Sequence, residues 1–252
     1  MTALSLALPA DCRMLELALR EDGFAFIGAG VMRALLGGGT AYDTQAWADF
    51  ASSWHDLAED SYLAQIGLRR RRRHAVFVTN AAGQLERAAH QPHYQSRDYN
   101  TLQGGIQRWF EPIREEVAAC APMRRLLEFA HALFDGLAPQ ATQWHVEAHQ
   151  FRIEALPGRH GQPTPEGMHR DGVNFVMVAL IDRHNITSGT TSIHALEGGE
   201  IGSFTLTRPL DTAFVDDSRV YHGVTAVAPL DPAQPAWRDV LVLTFRAARP
   251  TA

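Results

Sequence analysis

His169 and Asp171 stand two positions apart in Gly167-Met168-His169-Arg170-Asp171-Gly172, directly ahead of the apolar run from Val173 to Ile181. In extended backbone, side chains two apart share a face about 6 to 7 Å from each other, so an imidazole and a carboxylate turn toward one ion. A third ligand must come from elsewhere in the chain. His222 is the best placed, in the β-rich run Arg219-Val220-Tyr221-His222-Gly223-Val224-Thr225 that is entered through the turn-forming pair Asp217-Ser218. Two imidazoles and one carboxylate cover one face of an octahedral ion and leave three positions open, the arrangement that suits ferrous iron and oxygen chemistry. An isolated His-x-Asp is most often a chance tripeptide, so the surrounding elements decide.

The run Arg238-Asp239-Val240-Leu241-Val242-Leu243-Thr244-Phe245-Arg246 reads as a strand with a cation at each end, on the face of Val240, Val242 and Thr244. The two arginines are eight positions apart, about 26 Å in a straight strand, so only one of them reaches a given carboxylate. On these residues the chain resembles the ferrous iron and 2-oxoglutarate-dependent dioxygenases, and the interval from His222 to Arg238 (238 − 222 = 16) is similar to theirs. More narrowly, His169-Arg170-Asp171-Gly172, Asp216-Asp217-Ser218-Arg219-Val220-Tyr221-His222 and Arg238 to Arg246 resemble the bacterial L-isoleucine dioxygenase-like branch. Tyr94-Gln95-Ser96 and Tyr99-Asn100 ahead of Gly104-Gly105 carry the same likeness, which spans roughly residues 70 to 246.

The resemblance implies Fe(2+) held by His169, Asp171 and His222, with 2-oxoglutarate and O2 as cosubstrates. It places the far carboxylate of 2-oxoglutarate on Arg238, with Arg246 the alternative. It also implies hydroxylation or sulfoxidation of a small aliphatic or thioether L-amino acid, or a derivative of one. Rival readings use the same strands: a cupin-type metalloprotein with another divalent ion, a regulatory protein that binds an amino acid or oxoacid without turnover, or a hydroxylase of nucleic acid or protein.

The chain has 252 residues, 46% hydrophobic and 20% charged, an ordinary globular composition sufficient for one well-buried core. A formal net charge of −5 argues against a generic nucleic-acid or anionic-membrane partner, and the small-molecule substrate is what the resemblance implies. Cys12 and Cys120 are too few for a disulfide framework and read as reduced thiols, so the expected location is cytoplasmic. The stretch Met1 to Pro9 is apolar but short and lacks a basic leader, fitting neither a signal peptide nor an anchor.

Helical spacing over Asp11 to Arg20 precedes a strand at Phe24 to Ile27, and Asp43 caps a helix through Trp47, Phe50, Trp54 and Leu57. Gly28-Ala29-Gly30 lacks the third glycine of a dinucleotide fingerprint. The five arginines Arg69 to Arg73 lead into a strand and read mainly as a solvated edge, with one inward arginine toward a substrate carboxylate as the family-based alternative. From Gly105 through Leu137 the periodicity predicts two helices. From Gln143 onward, short β segments alternate with turns.

Helices first and strands afterward predict an α+β protein: a double-stranded β-helix, or cupin-like jelly roll, backed by N-terminal helices. Residues 1–252 are expected to be one catalytic domain, 1–140 mainly helical and 141–248 the jelly-roll core with the metal site. His145-x-Glu147-x-His149 lies in a β-rich context and is not a zinc-protease helix. In that strand Gln150, Arg152 and Glu154 share one face, and His149, Phe151 and Ile153 the other. One face lines the pocket, and Gln150 and Arg152, with Tyr94, are the expected substrate contacts. The loop Pro157 to Pro165 leads straight to the metal dyad and reads as a mouth or lid.

Overall fold

The computed structural model describes residues 10–37, 43–80 and 82–248; the reading of Met1 to Pro9 falls outside them. In chain order the first elements are α1 (Ala10–Asp22), β1 (Phe24–Ile27), α2 (Ala29–Leu35), α3 (Thr44–Ser52), β2 (Ala58–Glu59) and α4 (Ser61–Gln65). There follow β3 (Arg71–Thr79), β4 (Leu85–Arg87), β5 (His93–Tyr94), β6 (Gln107–Arg108), α5 (Glu115–Ala118) and α6 (Ala121–Leu137). The β-rich half comprises β7 (Trp144–Ala155), β8 (Phe175–His184), β9 (Ile186–Ser188), β10 (Thr190–Ala195) and β11 (Glu200–Thr205). It is completed by β12 (Thr212–Asp216), β13 (Val220–Val224), β14 (Val227–Pro229) and β15 (Ala236–Ala247).

The large antiparallel sheet runs β1-β12-β8-β15-β7-β3-β2, with β4 paired to β3. Alternation along its central strands divides two environments. Val146 and Ala148 of β7, Phe175 and Met177 of β8, and Leu241, Leu243 and Phe245 of β15 share one apolar cluster with Leu15, Leu19, Trp54, Leu126, Leu133 and Phe134. The α6 positions Met123, Leu126, Leu127, Ala130, Leu133 and Phe134 recur every three or four residues and are all buried. Phe134 stacks on Phe175 with ring centroids 4.7 Å apart, so truncating it to alanine is expected to cost about 3 to 5 kcal/mol.

The other face meets a smaller sheet, β11-β10-β13. Val176 and Val215 of the large sheet pack there with Ile193 and Val220 of the small one. Between the sheets lies the cavity that holds the functional groups. One bulge shapes its wall: Asp239 pairs with Asp182 but Val240 with Leu180, so Ile181 is the extra residue of β8.

Three expectations need correction. Ile106, Trp109 and Phe110 are not helical: Gly105 takes φ +82°, the chain turns there, and Gln107–Arg108 forms β6 against β5, leaving α5 short. The α3 pattern tightens after Ser52 into a 3-10 turn at Ser53–Asp56. The arginine run is not a solvated edge, because β3 is hydrogen-bonded to β7 on one side and to β2 and β4 on the other.

Candidate active site

The metal dyad sits in the loop before β8, not within the strand. His169 forms an isolated antiparallel bridge with His222, each backbone N–H donating to the other's carbonyl at 2.9 Å. This double bond places the two imidazoles side by side, with ring centroids 4.5 Å apart. Asp171 comes between them: His169 Nε2 lies 3.8 Å from Oδ1 and His222 Nε2 lies 3.5 Å from Oδ2. His169 Nδ1 is 3.0 Å from the Gly167 carbonyl and donates to it, while Nε2 is directed toward Glu166 Oε1 at 3.4 Å and toward Asp171. Burial opposes charge on Asp171, but the hydrogen bond with His222 and the His169 imidazole hold its pKa below the usual carboxylate range.

Asp217 organises the loop beneath. Its Oδ1 accepts from the backbone N–H of Asp171 at 2.8 Å, and its Oδ2 from Gly172 at 2.8 Å and Val173 at 3.1 Å. The same carboxylate stands 3.9 Å from His222 Nδ1. Gly172 adopts φ +78°, and a Cβ there would lie 2.5 Å from the Tyr99 ring, so only glycine lets Tyr99 close over the loop. On the cavity side, Gln95 Nε2 donates to Asp171 Oδ1 at 3.1 Å, while its own oxygen accepts from Arg108 Nη2 at 2.9 Å and Asn100 Nδ2 at 3.1 Å. Those two donors fix which way the Gln95 amide faces.

Arg238 lines the same cavity from β15 and is 2% exposed. Its Nε and Nη2 are buried without a hydrogen-bond partner. Burial pushes its pKa down to about 10, with Arg183 adding to the shift. The surrounding walls are apolar: Ile153, Val178, Leu206, Ala213 and Val240. A buried cation with orphaned donors in such a place calls for an anion to complete it. Arg246 also borders the cavity but is exposed, at the opposite end of the strand.

Of the expected substrate contacts, Tyr94 lines the cavity. Gln150 and Arg152 do not. They point from the other face of β7: Gln150 Nε2 donates to Ser53 Oγ at 2.8 Å, and Arg152 makes a two-pronged ion pair with Asp239 at 2.8 and 2.6 Å. The inward face is the alternate set His145, Glu147, His149, Phe151 and Ile153. Opposite them on β3, Arg72 pairs with Phe151 and His74 with His149, which also turns Arg72 inward. Arg70 and Arg72 line the cavity and both pair with the fully buried Asp60, at 2.9 and 3.7 Å, while Arg71 turns to Glu154. Arg108 joins them, with Nη1 on Gln103 Oε1 at 3.0 Å. Two groups of side chains therefore have the spacing of metal ligands: His169, Asp171 and His222, and also His74, His93, Glu147 and His149.

The model of the 2OG-Fe dioxygenase family matches residues 51–244. The chain belongs to this family. The 2OG-Fe dioxygenase is also similar over its length to a solved bsmA homologue from Methylobium petroleophilum PM1. The two are 39% identical with a TM-score of 0.85, covering 98% of this chain and 97% of that one. L-isoleucine-4-hydroxylase of Bacillus thuringiensis is 26% identical over 205 residues, 80% of this chain and 82% of the relative. The 3(1)-hydroxy-L-isoleucine 4-dioxygenase of Pantoea ananatis is 25% identical over 179 residues.

Family membership makes the protein an oxidoreductase that uses Fe(2+), 2-oxoglutarate and O2, on a jelly roll of mixed helix and antiparallel sheet. The residues present fit both groups: a two-histidine, one-carboxylate donor set faces the cavity, and an orphaned guanidinium lies in the same chamber. No described helix is long and apolar enough to cross a membrane.

Proposed function

We propose that this 2OG-Fe dioxygenase hydroxylates the aliphatic side chain of a free L-amino acid, or sulfoxidises a thioether one, within a single catalytic domain whose double-stranded β-helix is backed by the N-terminal helices. The observation that carries the reading is the unpaired, buried Arg238 in one chamber with His169, Asp171 and His222. The named activities of the two isoleucine-modifying relatives support the substrate class.

In this reading His169 Nε2, Asp171 and His222 Nε2 hold the iron, and Arg238 receives the far carboxylate of 2-oxoglutarate in a charge-assisted contact. The bound metal and cosubstrate supply the oxidising power for breaking an unactivated C–H bond. The chain's own contribution is position and dryness. Val178, Val240 and Ile153 exclude water around Arg238, Gln95 holds Asp171 in one rotamer, and Asp217 holds the loop that carries the dyad. Arg72 and Arg108, buried with unpartnered Nε atoms, give their part of the cavity wall the positive charge that a substrate carboxylate needs. Tyr94 stands at the same wall, half exposed, as a contact for the substrate.

A succinate-release assay across the aliphatic and thioether L-amino acids tests the reading. The expected outcome is succinate formation that requires ferrous iron, oxygen and one such amino acid together. Turnover confined to nucleotides, peptides or N-acylated amino acids would displace the substrate class.

A further inference from the structure

Glu147 stands in the middle of β7 with its carboxylate in the cavity, 8% exposed. Four imidazoles ring it. His93 Nδ1, His149 Nε2 at 3.3 Å and His74 Nε2 at 3.4 Å converge on Oε2, whereas Oε1 has only His145 Nε2 at 3.5 Å. Burial depresses the pKa of His74 to about 4 and lowers those of His93 and His149, so all three are neutral near pH 7. Burial opposes charge on Glu147 too, but the imidazole hydrogen bonds hold its carboxyl far below the usual range, so it is an anion. Among the described residues every ion-pair neighbour of Glu147 is a histidine. Arg72 and Arg108 stand within electrostatic reach of this carboxylate without an ion-pair contact to it, and the oxygen that has only His145 is the less occupied of the two, the place where a cation can approach.

The cation could be a metal, since the cluster has ligand spacing, but the hydrogen bonds point elsewhere. Arg72 Nη2 lies 2.6 Å from His149 Nδ1, and a guanidinium can only donate, so Nδ1 holds the lone pair and Nε2 the proton, directed at Glu147. A metal on that Nε2 would require an imidazolate. Charge argues the same way. Arg70, Arg72 and Arg108 already face Asp60, Glu147 and Glu166 here; a dication would add two uncompensated charges, and a zwitterion adds none. A zwitterion also supplies both missing partners, an anion for the orphaned Nε of Arg72 and Arg108 and a cation for Glu147.

We propose that Glu147 receives the α-ammonium group of the substrate on its open Oε1, so that this end of the cavity selects a free amine and rejects N-acylated or amine-free analogues. The proposal rests on the amino-acid reading above. It makes Glu147 a specificity-determining residue on β7, the strand paired with that of Arg238, six positions along from the residue that Arg238 faces (153 − 147), held ready by His74, His93 and His149.

The test is anaerobic binding to the protein loaded with ferrous iron and 2-oxoglutarate. The ligands are a panel of aliphatic L-amino acids that includes L-isoleucine, together with N-acetyl-L-isoleucine and the amine-free 3-methylpentanoate. The parent should bind one or more of the free amino acids and bind both analogues about 100-fold more weakly, the usual scale for an unpaired buried charge. Glu147→Gln should lose about 100-fold toward that amino acid, change little toward 3-methylpentanoate, and keep its affinity for 2-oxoglutarate. If no amino acid of the panel binds the parent, the amino-acid reading falls and the proposal with it. If the free amino acid binds the parent and N-acetylation makes no difference, the proposal alone falls, a comparison that needs no variant. Iron or zinc retained at one equivalent by His222→Ala and lost from His222→Ala/Glu147→Gln would assign the cluster to a metal and overturn it.

Discussion

The two ends of the cavity solve opposite problems. At the Arg238 end a buried guanidinium with two unpaired donor atoms stands beside Arg183, which has a buried unpaired donor of its own, and neither has an ion pair among the described residues. At the other end Arg70, Arg72, Arg108, Asp60, Glu147 and four histidines bond mainly to one another. The first end is incomplete without one carboxylate, so its binding energy is concentrated in one residue. The second is a network, where each deletion is partly absorbed by neighbours and what remains sets selectivity. His169, Asp171 and His222 line the same cavity.

The largest expected effect comes from breaking what the ends share. His169→Ala, Asp171→Ala and His222→Ala should each abolish turnover and stoichiometric iron binding while leaving the fold intact, as read by iron content and circular dichroism. A His222→Ala protein that retained iron and activity would remove the triad assignment.

Acid separates the ends next. His74, His93 and His149 have pKa values lowered by burial in the folded state, so the unfolded chain binds more protons and stability falls as pH drops below about 6.5. His74, whose folded pKa is about 4, contributes up to about 1.4 kcal/mol per pH unit in that window; His93 and His149 act in the same direction, while Asp239, raised to about 6, and His222, also raised, oppose them. Arg238 does not titrate in that window. Compared through denaturant midpoints from pH 7 to pH 5, His74→Phe should lose less stability than the parent. An equal loss in the parent and in His74→Phe would mean that the His74 imidazole is not held neutral.

Asp217→Asn keeps the size of the side chain but weakens the clamp on the dyad loop, and should lower iron affinity about 10- to 100-fold with little change in Tm. Smaller still, Gln95→Ala should cost less than tenfold in iron affinity, because it frees one oxygen of Asp171 without removing a ligand. An effect of Gln95→Ala exceeding that of Asp217→Asn would invert their assigned roles.

The grouping of His169, Asp171 and His222 was partly legible: the spacing pairs His169 with Asp171, although both lie in the loop before β8 and an isolated bridge from His169 to His222, a long-range contact, completes the group. The strand with Arg238 and Arg246 was legible for the same reason, although which end is buried depends on neighbouring strands. Periodicity could not choose between the faces of β7. Helices and the 3-10 turn at Ser53–Asp56 cover the face of Gln150 and Arg152, a long-range fact, so the substrate contacts were placed on the wrong side. The Glu147 cluster gathers from β3, β5 and β7 through pairings such as His74 with His149, seventy-five positions away (149 − 74), which no local pattern carries. The only local signal was the alternation of His145, Glu147 and His149. Ile106, Trp109 and Phe110 mimicked helical spacing, but Gly104 and Gly105 turn the chain to bring Arg108 inward.

The central claim is that Arg238 completes itself with the far carboxylate of 2-oxoglutarate. Anaerobic titration of 2-oxoglutarate into ferrous parent, Arg238→Ala and Arg246→Ala proteins, followed by the metal charge-transfer band, tests it most directly. Removing the buried cation should cost on the order of 3 to 5 kcal/mol, a loss of hundreds-fold or more in affinity, with iron binding retained. Arg246→Ala, altering only an exposed side chain, should titrate like the parent. A parent-like curve for Arg238→Ala with a collapsed one for Arg246→Ala would contradict the account.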